Sequence, residues 1–180
     1  DGNDVEITRV RNANYDFDGD GKSDVSQYRP SDGTWNIQQS SSSSSTTIRF
    51  GLAEDLIAPA DFDGDTKTDF AVFRPSNGVW YILNSADFSV DIRQFGLDGD
   101  IPVPNDFDGD GRADLGIFRP SNGVWYQLRS LDDQFFAQQF GTNGDMPLMG
   151  DFDGDGFGDL VIYRSGVWHL FKSADDSYSS

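Results

Sequence analysis

The stretch DFDGDGKSD at residues 16–24 returns as DFDGDTKTD at 61–69, DFDGDGRAD at 106–114 and DFDGDGFGD at 151–159, each copy starting 45 residues after the last. A period of that length constrains the fold more than composition does, because each unit must be one supersecondary block that buries its apolar faces on its neighbours. It also concentrates like charge: four carboxylates in nine residues, four times over, in a chain of net charge −18. Any fold must therefore hold four acidic turns in equivalent places.

The third unit reads most clearly. After its acidic loop comes DLGIFRP (114–120), matched by DVSQYRP (24–30), DFAVFRP (69–75) and DLVIYRS (159–165). These runs are short, β-branched and aromatic, and three of them stop at a proline, which cannot extend a strand ladder. A tight turn, SDG in the first unit and SNG in the next two, leads into a strand anchored by Trp35, Trp80, Trp125 or Trp168. A variable polar hairpin follows, then a third strand ending at Phe50, Phe95 or Phe140, and loops such as GDIP (99–102) carry the chain into the strand that feeds the next acidic site. No run has a helical period. The pattern predicts an all-β, four-bladed β-propeller of four 45-residue, four-stranded repeats, with the acidic loop between the first and second strand of each blade. A β-helix has a shorter repeat, and independent modules would expose too many of the 15 phenylalanines. Residues 1–180 are read as one domain, with repeats at 16–60, 61–105, 106–150 and 151–180.

The fourth repeat ends after GVWHLFKSADDSYSS, where its third strand, the one ending in FG elsewhere, should begin. DVEITRV (4–10) alternates apolar and polar residues and is expected to supply that strand. It would either close the ring within the chain or enter a neighbouring molecule as a donated strand, and the sequence is compatible with both.

In Asp-x-Asp-x-Asp-x-x-x-Asp, the side chains at positions 1, 3, 5 and 9 are expected to converge on one point while glycine permits the turn. Hard oxygens in that number suit Ca²⁺ better than Mg²⁺, which retains several waters. The predicted ligands are Asp16, Asp18, Asp20 and Asp24; Asp61, Asp63, Asp65 and Asp69; Asp106, Asp108, Asp110 and Asp114; and Asp151, Asp153, Asp155 and Asp159. The carbonyls at position 7, from Lys22, Lys67, Arg112 and Phe157, would add one ligand each, which explains why that side chain varies. An EF-hand needs a bidentate Glu at position 12, but Gln27, Val72, Ile117 and Ile162 stand there. The loops hold sixteen of the 31 acidic residues, and four divalent ions, eight positive charges, would bring −18 to −10. Calcium is thus expected to be structural, locking the hairpin between the first two strands of each blade.

These units resemble FG-GAP/VCBS repeats, the calcium-loop blades also found in the integrin α-subunit propeller. They are most similar to the bacterial form reading DFDGDGxxDxxxFRPSNGxWY…FGxxGDxP. The resemblance covers nearly the whole chain, from Asp16 to Tyr178, and implies calcium ligands at the four aspartate sets named above. It further implies an extracellular or cell-surface protein, often an adhesin, a lectin-like module or an appendage of a larger secreted protein, without implying one activity. Thr66 stands where glycine is usual, which bears on the affinity of the second site.

With a pI near 4.1 and no basic cluster, the chain is a poor match for nucleic acid or anionic lipid. No apolar run approaches the roughly 20 residues that cross a bilayer, and no charged-then-apolar leader opens the sequence at Asp1. Zero cysteines exclude disulfides and thiolate metal sites. Cations are the expected partners, with a protein or glycan at a cell surface beyond them and self-assembly as a further expectation. Arg29, Arg74, Arg119 and Arg164 are expected to pair with aspartates such as Asp55, Asp100 and Asp145 rather than to form a ligand ring. The tryptophans are expected in the blade-to-blade core rather than stacked on sugars. Ser40–Ser45 with Thr46 and Thr47 reads as a flexible solvent loop. The single histidine, His169, occupies a strand position held elsewhere by Tyr81 and Tyr126. No nucleophile, base and orienting group can be assembled, so the chain is expected not to be an enzyme.

Overall fold

A computed structural model describes residues 15–175 and 177–180. Blade 1 contains β1 (Val25–Arg29), β2 (Thr34–Gln38) and β3 (Ser45–Arg49). Blade 2 contains β4 (Leu56–Ile57), β5 (Phe70–Arg74), β6 (Val79–Leu83) and β7 (Val90–Gln94). Blade 3 contains β8 (Ile101–Pro102), β9 (Leu115–Arg119), β10 (Val124–Leu128) and β11 (Phe135–Gln139). Blade 4 contains β12 (Met146–Leu148), β13 (Leu160–Arg164), β14 (Val167–Phe171) and β15 (Tyr178–Ser179). Strands pair antiparallel in chain order within every blade, so the fold is an all-β, four-bladed β-propeller with each acidic loop leading into the long second strand. The expected strand at 4–10 lies outside the described residues.

Burial explains the composition of each strand. In β5, FAVFR, four of five residues are buried, and β9 repeats the pattern. Both faces of these strands are covered by neighbouring blades, which favours a continuous apolar run over alternation. The outermost strands β7 and β11 are exposed at every residue and mix polar side chains with exposed apolar ones, Val90 and Ile92 in β7 and Phe135 and Phe136 in β11. Each SNG or SDG turn closes against the end of the outer strand. A Cβ on Gly78 would lie 2.3 Å from the carbonyl oxygen of Gly96, and Gly78 has φ 66°, so only glycine fits.

Three apolar clusters join successive blades. Trp35 and Ile37 pack on Phe70 and Val72, Trp80 and Ile82 on Leu115 and Ile117, and Trp125 on Leu160 and Ile162. The indole N–H of each tryptophan donates to the carbonyl of Phe50, Phe95 or Phe140 at 2.7–2.8 Å. The core expectation therefore holds for three tryptophans. Trp168 differs: it is 48% exposed, against 0–1% for the others.

The fourth blade also corrects the reading of its end. Its outer strand, β15, the equivalent of those ending in FG elsewhere, does form within the chain: Phe171 pairs with Tyr178 and Leu170 with Ser179. The physical cause is a tight return, closed by the Lys172 N–H donating to the Ser177 carbonyl at 2.9 Å. Upstream, this repeat has RSGVW where the others have RPSNGVW or RPSDGTW. The two-residue turn at Ser165 and Gly166, with φ 49° and 91°, thus replaces the longer one.

Candidate functional site

Each acidic loop is organised around the carboxylate at position 1. Asp16 accepts the N–H groups of Gly19 and Gly21, both at 2.7 Å, and Asp61, Asp106 and Asp151 do the same for their own positions 4 and 6. The buried carboxylate at position 9 closes the loop from the other side. Asp24, Asp69, Asp114 and Asp159 each accept the N–H of position 2 at 2.6–2.8 Å, and with their other oxygen the N–H of Ser40, Ser85, Ser130 or Ser173.

The fold brings together three of the four predicted side chains in every loop. One oxygen each from Asp16, Asp18 and Asp24 lie within 4.8 Å of one another, as do those of Asp61, Asp63 and Asp69, of Asp106, Asp108 and Asp114, and of Asp151, Asp153 and Asp159. Position 5 stands outside this group. Asp20, Asp65, Asp110 and Asp155 instead accept the N–H of position 7, from Lys22, Lys67, Arg112 and Phe157, at 2.8–2.9 Å. An aspartate capping the N–H two residues on stabilises the local turn; position 3 makes the same cap to the N–H of position 5 at 3.0–3.2 Å and still reaches the group.

The position-7 side chains reach the preceding loop. The Lys67 stem lies over Gly19, that of Arg112 over Gly64 and the Phe157 ring over Gly109. Backbone bonds run the same way: Thr68 donates to the Asp16 carbonyl, Ala113 to that of Asp61 and Gly158 to that of Asp106.

The serines are functional neighbours that the motif alone does not contain. Ser85, Ser130 and Ser173 donate their hydroxyls to Asp65, Asp110 and Asp155, and Ser41 donates to Asp18 at 2.6 Å. Ser40 and Ser41 therefore anchor the first loop and are not free solvent loop. The spacing of Ser40, Ser85, Ser130 and Ser173 is a signal that the sequence carries, 45, 45 and then 43 residues.

Burial pushes Asp61, Asp69 and Asp114 up to about 6 and raises Asp106 as well, overriding the N–H groups that favour their charged forms. Asp18 is lowered, chiefly by the Ser41 hydroxyl. Oxygen Oδ2 of Asp153 is buried and has no hydrogen-bond partner, although a buried carboxylate oxygen ordinarily has one. Hard oxygens gathered at one point, some raised by burial and one unpartnered, fit a hard divalent cation.

Elsewhere the arginines pair as expected. Arg74, Arg119 and Arg164 each grip an aspartate through two nitrogens, to Asp55, Asp100 and Asp145, at 2.6–2.9 Å. Arg29 has a different partner, the exposed Asp32 at 3.5 Å. His169 shares a 2.6 Å hydrogen bond with the Tyr178 hydroxyl and stacks on that ring.

The chain is thus a β-propeller carrying one acidic loop per blade. No family model matches it, nor does any curated protein. Among solved structures it is similar to that of BBS1N in complex with ARL6DN, with a TM-score of 0.54 and 12% sequence identity. The match covers 88% of this chain and 53% of that one, so the chain spans about half the length of this neighbour. At that identity the likeness is one of fold.

Proposed function

We propose that the chain is a calcium-stabilised, non-enzymatic propeller of the FG-GAP/VCBS kind that acts outside the cell as an adhesion or binding module. The observation carrying this reading is the fourfold convergence of carboxylates from positions 1, 3 and 9. Four equivalent clusters, each tied to the hairpin of its own blade, have the form of a repeated structural ion site. Bound ions would neutralise the charge that folding concentrates and would brace the loops that link one blade to the next. The partner in this reading is a protein or glycan at a cell surface.

Two observations favour narrower versions. A groove between blades 3 and 4, lined by Phe140, Arg164, His169 and Tyr178, has the mixed aromatic and polar walls of a lectin site. The exposed Trp168 favours assembly, taken up below.

Isothermal titration of calcium into chelator-treated protein tests the main reading. Four ions per chain and a large rise in melting temperature are expected, with magnesium much weaker. Absence of saturable calcium binding would overturn it. A glycan array without hits would remove the lectin version alone.

A further inference from the structure

Among the described residues, three blade-to-blade interfaces use the same parts. A tryptophan strand presents its indole, here Trp35, Trp80 and Trp125, to apolar positions on the second strand of the next blade. Those receiving positions are Phe70 and Val72, Leu115 and Ile117, and Leu160 and Ile162, all buried to 7% exposure or less. Above them, the position-8 N–H of one loop donates to the position-1 carbonyl of the loop before, and the position-7 side chain covers that loop's glycine.

Both halves of a fourth such interface are present but do not bury each other. On blade 4, Val167 is 44% and Trp168 48% exposed. On blade 1, β1 carries Val25 and Gln27 at the receiving positions, and Val25 is 72% exposed. Among the described residues, the Ser23 N–H, at position 8, has no acceptor, and the Asp151 carbonyl, at position 1, has no loop donor. The Lys22 side chain is 73% exposed, whereas Lys67 and Arg112 lie over the preceding loop.

We infer that the trailing face of blade 4 docks on the leading face of blade 1 of a second copy of this chain, head to tail. Trp168 covers Val25 and the stem of Gln27, Ser23 donates to Asp151, and Lys22 lies across Gly154 among the carboxylates of the fourth loop. The established interfaces specify this occupant: they define which surface a tryptophan strand receives, and among the described residues blade 1 leaves that surface uncovered. The charges agree, since the cation of Lys22 meets an acidic loop. Gln27 in place of Val72, Ile117 or Ile162 makes the contact less apolar than the internal ones, so association is reversible. Such a heterologous contact continues into a ring or a filament. It differs from donation of a strand by residues 4–10, because faces meet and no edge is extended.

The test is sedimentation velocity over a concentration series in calcium, on the full chain and on Trp168→Asp and Val25→Asp. Both residues are exposed, so the variants are expected to keep the wild-type circular dichroism and to bind the same number of calcium ions, which keeps this test separate from the calcium reading. Wild type is expected to rise above its 19.9 kDa monomer mass with concentration, and each variant to associate at least about tenfold more weakly, the scale of losing a central interface anchor. An equimolar mixture of the two variants retains one intact pair of faces and recovers dimers that neither forms alone. A constant monomer mass for wild type, variants that associate as wild type does, or a mixture without recovery would each overturn the inference.

Discussion

Thr68 donates its backbone N–H to the carbonyl oxygen of Asp16 at 2.7 Å. One residue later Asp69 is fully buried, holding the N–H groups of Phe62 and Ser85. The first acidic loop is therefore a support for the second, and the same step recurs from the second to the third and from the third to the fourth. In the proposed calcium-bound state an ion at one loop would brace the position-9 carboxylate of the next, which would link order in the sites to order between the blades.

Asp153→Asn tests whether the fourth loop holds a metal ion. The substitution retains an oxygen for the Asp155 N–H and replaces the unpartnered Oδ2. Calorimetry is expected to count three ions instead of four. At free calcium ten times the dissociation constant, the lost site amounts to about 1.4 kcal/mol, read as a smaller calcium-induced rise in melting temperature. In chelator the variant is expected to be as stable as wild type or more so. Four ions and an unchanged calcium response would show that the group holds no metal.

The dependence on pH is expected to change sign with calcium. Asp61, Asp69 and Asp114 sit at about 6, against 3.8 for an unperturbed carboxyl. A raised folded-state pKa means that the native chain holds protons more tightly than the unfolded one, so ionising these groups opposes folding progressively between about 3.8 and 6. Asp145 acts in the other sense. Its hydrogen bond from Arg164 lowers it, so the stability it supplies is complete above 3.8 and is lost as the pH falls through its depressed value. Calcium-free protein is expected to melt higher as pH falls from about 7 to about 4 and lower again in stronger acid. With calcium the first slope is expected to reverse, because protons would compete with the ion for the same oxygens. Melts in metal-stripped and calcium buffers check this; parallel slopes would count against a carboxylate site.

Arg74→Ala removes the fork from Asp55, whose side chain is fully buried, and leaves that charge with the Leu52 N–H. The expected loss is about 3–5 kcal/mol. Arg29→Ala, at the same repeat position but exposed beside Asp32, is expected to cost no more than about 0.5 kcal/mol. Denaturant unfolding of both in calcium reads the contrast, and equal losses would mean that the arginines act through something other than these pairs.

Thr66 takes φ 74° at a position where Gly21, Gly111 and Gly156 take 82–95°. A β-branched residue is strained there, yet its N–H still reaches Asp61 at 2.9 Å. Thr66→Gly is expected to stabilise the fold by about 1 kcal/mol and to tighten the second site. Chemical denaturation and calorimetry report the two effects separately.

The order of amino acids by itself determined the repeat, the short antiparallel strands of each unit, the turns that favour glycine and the places where carboxylates gather. All of these depend on residues close in sequence, where backbone sterics and side-chain spacing act directly. The Arg74–Asp55 and Arg119–Asp100 pairs were legible too, because both partners recur at one period. Tertiary structure alone decided which equivalent residues behave differently. Trp80 and Trp168 follow the same GVW and occupy matching strands, but one is sealed beneath Leu115 and Ile117 and the other is half exposed. Position 5 of each loop looked like its neighbours, yet it stays outside the group that positions 1, 3 and 9 form, and Ser40 and Ser41, inside a low-complexity run, became anchors of the first loop. Burial and convergence are sums over atoms from distant parts of the chain, and no local pattern contains them.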